Sequence, residues 1–178
     1  MVDSLRALLG EVGLPAPYLL VGHSIGGLIV NLFARLHPSE TAGVVLLDAA
    51  APEDVSAMAR HQSALQKLAQ RVTNAFAKRD PLAETEHVEE TVTQIEQAPL
   101  FPPLPLVVLT GAKPAMRWAT PAAALATRAE HQKRLAALSP RGTQIMAAKS
   151  GHFPQFTEPD VVIAAVERAL IMHRERPV

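Results

Sequence analysis

The sequence predicts an α/β fold, a parallel sheet of about four strands with helices on both faces. Three observations predict it. Short, continuous apolar runs of strand length recur along the 178 residues. Segments of helical character separate them, and that alternation is what a parallel sheet covered on both faces requires. Three of the runs lead directly to a residue able to do chemistry, Ser24, Asp48 or His152, and in such sheets functional groups gather beyond the carboxyl ends of the strands.

Taken in order, residues 3–12 place Leu5, Leu8, Leu9 and Val12 at helical spacing, with Asp3 positioned to cap the helix and Gly13 and Pro15 to end it. Tyr18 to Val21 is a short apolar strand, shaped for burial on both faces and pairing on both edges. Gly26 to Leu36 is a helix apolar on nearly every side, closed by His37-Pro38. Val44 to Leu47 is the second strand and stops at Asp48. Residues 52–97 are rich in Ala, Gln, Glu, Lys and Arg and carry no strand signal, so they read as a helical insertion broken at Pro81. The core then comprises 1–51 and 98–178. "APLFPPLPL" is a rigid connection, Leu106 to Thr110 the third strand, and 121–137 a helix. "TQIMAAKSGHFP" holds the fourth strand and the loop with His152. The last helix, 159–173, begins at Thr157-Glu158-Pro159-Asp160, with proline at its first position and the spacing of a capping box.

Composition bounds the function. Apolar residues make up 48% and charged residues 19%, the balance of a globular chain. A formal net charge of zero offers no footprint for nucleic acid. There is no cysteine, hence no disulfide and no thiolate metal site. The start of the chain lacks the basic stretch and apolar run of a signal peptide, and no run approaches the roughly 18 apolar residues of a membrane span. The expectation is a cytoplasmic protein without metal or organic cofactor, acting on a small molecule.

The chemistry centres on Gly22-His23-Ser24-Ile25-Gly26, placed between a strand and a helix, where a sharp nucleophile turn must lie. Its glycines remove Cβ atoms that would clash there, and the N-terminal N–H groups of the following helix favour developing negative charge. A solvated serine in a glycine-rich turn is the alternative. Serine needs a base. His23, with its side chain turned away from Ser24, and His37, His61, His87, His131 and His173 all suit solvated roles. His152 follows the last strand in "KSGHFP" and is the candidate base. The acid that orients it is sought first after the third strand, but residues 111–117 contain none. Asp48 remains, with Glu53 and Asp54 as fallbacks. Leu100, Phe101 and Phe153 are candidates for an acyl pocket, a core role being the alternative for each.

"LLVGHSIGGLIVNLFARLHP", "GVVLLDAAAPED", "PLVVLTG" and "SGHFPQFTEPDVV" resemble the α/β-hydrolase superfamily, in particular its serine esterases and lipase-like members. The resemblance runs from the nucleophile strand onward, so it implies a truncated form of the fold. It implies a Ser24–Asp48–His152 triad in the family's chain order, an oxyanion N–H from Ile25, and a lid formed by 52–97. An acid after the sixth family strand, where Asp48 stands, is the less common placement. A serine in the elbow argues against dehalogenases and epoxide hydrolases, whose nucleophile there is aspartate. The implied activity is hydrolysis of carboxylic esters through an acyl-enzyme. Carbon–carbon bond hydrolysis or perhydrolysis on the same triad, and a non-catalytic ligand-binding remnant, are the rival readings. In the family four strands precede the nucleophile strand, and the loop after the third supplies the second oxyanion N–H. This sequence has only a helix before Tyr18, so the first strand is expected to offer an unpaired edge and the chain to form a homodimer.

Overall fold

The computed structural model describes residues 1–55, 87–113 and 122–175. Four parallel strands form one sheet in sequence order: β1 (Tyr18–His23), β2 (Thr41–Leu47), β3 (Leu106–Gly111) and β4 (Gly142–Ala147). The helices are α1 (Val2–Glu11), α2 (Gly26–Leu36), α3 (Val88–Gln97), α4 (Ala122–Ala136), α5 (Pro154–Thr157) and α6 (Pro159–Arg174). A 3₁₀ turn, Pro38–Glu40, joins α2 to β2.

Alternation along the two central strands divides the core. Val44, Leu46, Leu106 and Val108 face α2, together with Leu20 of β1 and Leu135 of α4. Val45, Leu47, Val107 and Leu109 face the other way, onto Ala165, Ala169 and Met172 of α6. Every residue of β2 and β3 is buried, as continuous apolar runs require. Each fully buried Val or Leu contributes about 1.5–3 kcal/mol, so these two strands are the main anchor of the fold.

The edges depart from the sequence expectation. β1 runs through Gly22 and His23 because its ladder to β2 continues, with Gly22 opposite Leu46 and His23 opposite Leu47. No described strand pairs with its outer edge, and Val21, expected to be buried, is 45% exposed. The sequence pattern reports apolar character but not how many neighbours are present to cover it. Because an unpaired parallel edge is a template for pairing, the 178-residue chain is expected to scatter light as a dimer. A monomeric mass would remove the self-association reading.

Two caps differ as well. Met1, not Asp3, is the N-cap of α1, and Asp3 lies in the first turn, where its charge suits the helix dipole. Pro159 opens α6 as expected, but Glu158 caps it without a side-chain bond. Thr157 instead donates to Ser150 Oγ at 2.6 Å, and the Glu158 carboxylate is drawn into the same loop.

Most of the expected insertion, residues 56–86, lies outside the described residues. The end of it that is described, α3, buries Val92 and Ile95 in the core against α2. Among the described residues no helix is long and apolar enough to cross a membrane.

Candidate active site

The turn after β1 is held from both sides. Ser24 has φ +53°, a left-handed backbone that costs a non-glycine residue roughly 1–2 kcal/mol. Bonds to β2 and the segment after it sustain it: the Ser24 N–H donates to Leu47 O at 3.2 Å, and Ser24 O accepts from Gly27 N–H at 3.1 Å and Ala50 N–H at 3.0 Å. Gly22 is needed for close approach, since a Cβ there would stand 2.6 Å from Gly26 O and from Val30 Cγ2. Gly27 has the same constraint, its Cβ falling 2.4 Å from Ala49 Cβ. Gly26, the other glycine of the expected motif, faces open space. The steric demand thus sits at Gly22 and Gly27. Ile25 is the N-cap of α2, and no described hydrogen bond uses its N–H as donor. That N–H and the helix N-terminus behind it can receive an oxyanion.

Asp48 directly follows β2 and is the other non-glycine residue at positive φ among the described residues, at +43°. Its N–H donates to Leu109 O at 2.7 Å, tying it to β3. Its side chain is only 2% exposed. A buried carboxylate needs donors, and among the described residues it has three. Oδ2 lies 2.8 Å from His152 Nδ1, while Oδ1 accepts from Gly111 N–H at 2.9 Å and from the Arg128 guanidinium. The structure therefore brings His152 and Asp48 together from the ends of β4 and β2. A proton on Nδ1 bonded to the carboxylate leaves Nε2 as the free acceptor of the neutral ring, the tautomer a general base needs.

The fallback acids lie elsewhere. Asp54 Oδ1 pairs with His131 Nδ1, and Asp54 Oδ2 accepts from Ala51 N–H at 3.1 Å. Glu53 is exposed. Four described histidines expected to be solvated are not: His37, packed 5.0 Å from the Phe33 ring, and His173 each bury a ring nitrogen, and His131 and His23 make contacts of their own. His131 is 11% exposed and committed to Asp54. His23 packs its ring 4.8 Å from that of His152 and donates from Nε2 to His152 O at 2.6 Å. It braces the loop from β1, a role its place next to Ser24 did not reveal. Among the pocket candidates, Phe153 is exposed beside the rings of His23 and His152. Phe101 belongs to the core, with the Arg35 guanidinium 5.9 Å over its ring. Leu100 is 91% exposed and lines a cavity of about 530 Å³ with His131, Leu135 and Leu138; neither Ser24 nor His152 lines it.

The loop carrying His152 is fixed at buried Ser150. Ser150 Oγ donates to Glu158 Oε2 at 2.6 Å, Lys149 N–H donates to the same oxygen at 2.8 Å, and Ser150 O accepts from Lys113 N–H at 2.8 Å. The bond from Ser150 holds the Glu158 carboxyl below the usual glutamate range, partly opposed by burial. A carboxyl depressed in the folded state contributes stability above its unfolded value, about pH 4.3, and loses it as pH falls through the lower folded value. Urea unfolding should therefore show wild type more stable than Glu158→Gln at about pH 6, with the gap closing below about pH 4. A gap independent of pH would remove this role.

Arg128 was not visible in sequence. Nothing in the sequence marks one arginine in a polar helix as turned toward a strand end. It sits on α4 at i and i+4 spacing from Gln132, which is buried and donates to Ala49 O at 2.7 Å.

The model of the Alpha/beta hydrolase family matches residues 1–165, and the chain belongs to that family. The fold resembles that of a probable hydrolytic enzyme of Pseudomonas aeruginosa PAO1, with a TM-score of 0.59 and 20% identity over 95% of this chain and 68% of that one. It also resembles a thermophilic esterase of Thermogutta terrifontis, with a TM-score of 0.56 and 20% identity over 97% and 71% of the two chains. A third likeness is to MGS-MChE2, an alpha/beta hydrolase enzyme from the metagenome of Mar Chica lagoon sediments: TM-score 0.58, 18% identity, 98% and 69% covered. At such identities these likenesses establish the fold. A stretch of 49 residues is 43% identical to an uncharacterized protein of Schizosaccharomyces pombe, covering 28% of this chain and 9% of that protein.

Proposed function

We propose that the chain is a serine hydrolase of carboxylic esters. The observation that carries the reading is the 2.8 Å bond between His152 Nδ1 and Asp48 Oδ2, in a chain that also holds Ser24 at φ +53° between β1 and α2; no described hydrogen bond joins Ser24 Oγ to the imidazole. In this reading His152 Nε2 takes the Ser24 hydroxyl proton as Oγ attacks the acyl carbon. The carbonyl π electrons move to oxygen, and the Ile25 N–H meets the resulting oxyanion. Collapse breaks the bond to the leaving oxygen, which receives the proton from His152. Water, deprotonated by His152 in turn, then cleaves the acyl-serine and regenerates the free hydroxyl. Asp48 orients the imidazole and stabilises its cation throughout. Phe153, exposed beside the imidazole, can contact the acyl chain, and residues 52–97 are the candidate lid.

The esterase named among the structural relatives supports the substrate class, and family membership supports hydrolysis. The test pairs release of p-nitrophenol from short-chain esters with covalent labelling by a fluorophosphonate. Hydrolysis with stoichiometric labelling is expected. Neither turnover nor labelling would leave the ligand-binding alternative.

A further inference from the structure

We infer that Arg128 is a positioning residue of the catalytic acid, holding the Asp48 carboxylate so that Oδ2 faces His152; the inference rests on the Ser24–Asp48–His152 reading. Three bonds close a small ring. Gly111 N–H and Arg128 Nη2 both donate to Asp48 Oδ1, and Arg128 Nη1 donates to Gly111 O at 3.3 Å. The planar guanidinium thus bridges the end of β3 and one oxygen of the acid. An aspartate χ2 is broad and roughly two-fold, so a carboxylate held only by Gly111 and His152 could rock about that torsion. Two donors converging on Oδ1 leave Oδ2 in a single orientation. The fork geometry of arginine makes this possible where the single ammonium of lysine reaches only one acceptor well.

The helix carrying Arg128 is itself fixed. One turn later Gln132 donates to Ala49 O and accepts from Thr110 Oγ1 at 3.3 Å, which in turn accepts from Gln144 Nε2 at 2.9 Å. His131 adds its pair with Asp54. Arg128, His131, Gln132 and Leu135 therefore form one inward stripe on α4, with its polar part set against the segment that follows β2. Charge argues the same way. Asp48 is the buried partner and Arg128 the half-exposed one, so the pair differs from a surface bridge of little worth. Without Arg128 the buried acid would keep, among the described residues, only a backbone N–H and a histidine as donors, with no permanent cation.

Among the described residues the groups facing His152 are Asp48, just after β2, and His23 from β1, with Arg128 acting through Asp48. Glu158, Lys149 and Lys113 bind the loop backbone or Ser150 rather than the ring. Arg128 is accordingly the one cation on the acid among the described residues.

The experiment compares wild type with Arg128→Ala and Arg128→Lys on p-nitrophenyl esters, each with and without added guanidinium chloride at non-denaturing concentration. Loss of the pin should lower kcat about 10- to 100-fold with KM little changed, the scale expected when a reacting group is slightly misplaced. Arg128→Lys should recover part of the loss, and guanidinium should partly restore Arg128→Ala. Arg128→Gln serves in its place should the alanine chain fail to fold by circular dichroism. Wild-type kcat in the variant, or a loss that neither lysine nor guanidinium relieves, would overturn the inference. A second readout does not depend on turnover: the downfield proton resonance of His152 Nδ1, assigned by its loss in His152→Ala. It should be sharp in wild type, broadened in Arg128→Ala and recovered with guanidinium. If wild type neither hydrolyses esters nor takes the fluorophosphonate, the hydrolase reading falls while this resonance still tests Arg128. A resonance unchanged in Arg128→Ala, or absent from wild type, overturns the positioning role.

Discussion

Ser24→Ala is expected to remove ester hydrolysis and fluorophosphonate labelling together, a loss on the order of 10⁶-fold in kcat if the serine carries the covalent step. The fold should survive. The bonds that hold the turn are made by the Ser24 backbone N–H and C=O, and none described uses Oγ, so the substitution deletes chemistry and no structural contact. Alanine inherits the positive φ at little added cost, because Ser and Ala are both L-residues with one Cβ substituent or none. Urea midpoints of wild type and variant should therefore agree within about 1 kcal/mol. The pairing of the two measurements matters. Lost turnover with an unchanged midpoint assigns the hydroxyl to the reaction. Retained turnover would make Ser24 a turn residue and return the chain to the binding-protein alternative.

How far the sequence revealed this site depended on whether a residue's role was local. Strands β2 and β3 are built on the runs Val44–Leu47 and Leu106–Leu109, and such Val and Leu runs have no stable place but the centre of a covered sheet, so their burial was legible. The same held for the turn at Ser24, which glycine and a strand-to-helix switch mark within a few residues. His152 was separable from the histidines in polar helical segments because it follows the last strand in a loop with Gly151, and its Nδ1 lies 2.8 Å from Asp48 Oδ2. What failed was what depends on neighbours distant in sequence. Val21 reads like Val45, yet among the described residues only the latter has a strand on each side and a helix above it. His23 suited a solvated role, yet its ring packs 4.8 Å from that of His152 because that loop returns from a position 129 residues later. The inward stripe of α4 escaped for a different reason. Three of its members, Arg128, His131 and Gln132, are polar, so apolar periodicity assigns them to solvent although they bond to Asp48, Asp54 and Ala49. Expected capping failed at Asp3 and at Thr157 because spacing permits a cap without compelling one: competing bonds to Ser150 took Thr157.

Asp48→Asn should lower kcat roughly 10³- to 10⁴-fold with little change in KM, the range seen when a triad acid becomes an amide. The surroundings of Asp48 give a specific reason. An asparagine there must place its carbonyl oxygen where Oδ1 now lies, because Gly111 N–H and Arg128 both point donors at that position. The reverse orientation would set an NH₂ group against two donors in a buried site, at a cost of several kcal/mol. The amide nitrogen is thereby forced into the place of Oδ2, facing His152 Nδ1. Nδ1 must then act as acceptor, so the ring proton moves to Nε2, and the ring loses the lone pair that would take the serine proton. The imidazole is kept in position but in the wrong tautomer. Fold stability gives a control, since the variant retains both bonds to Oδ1 and should unfold near the wild-type midpoint. Asp54→Asn and Glu53→Gln, measured beside it, should leave kcat within a few-fold of wild type, because Asp54 is occupied by His131 and the Ala51 N–H. If Asp48→Asn were nearly silent and either of those two were not, the acid would lie in the 52–97 segment, and the bond between Asp48 and His152 would be structural only.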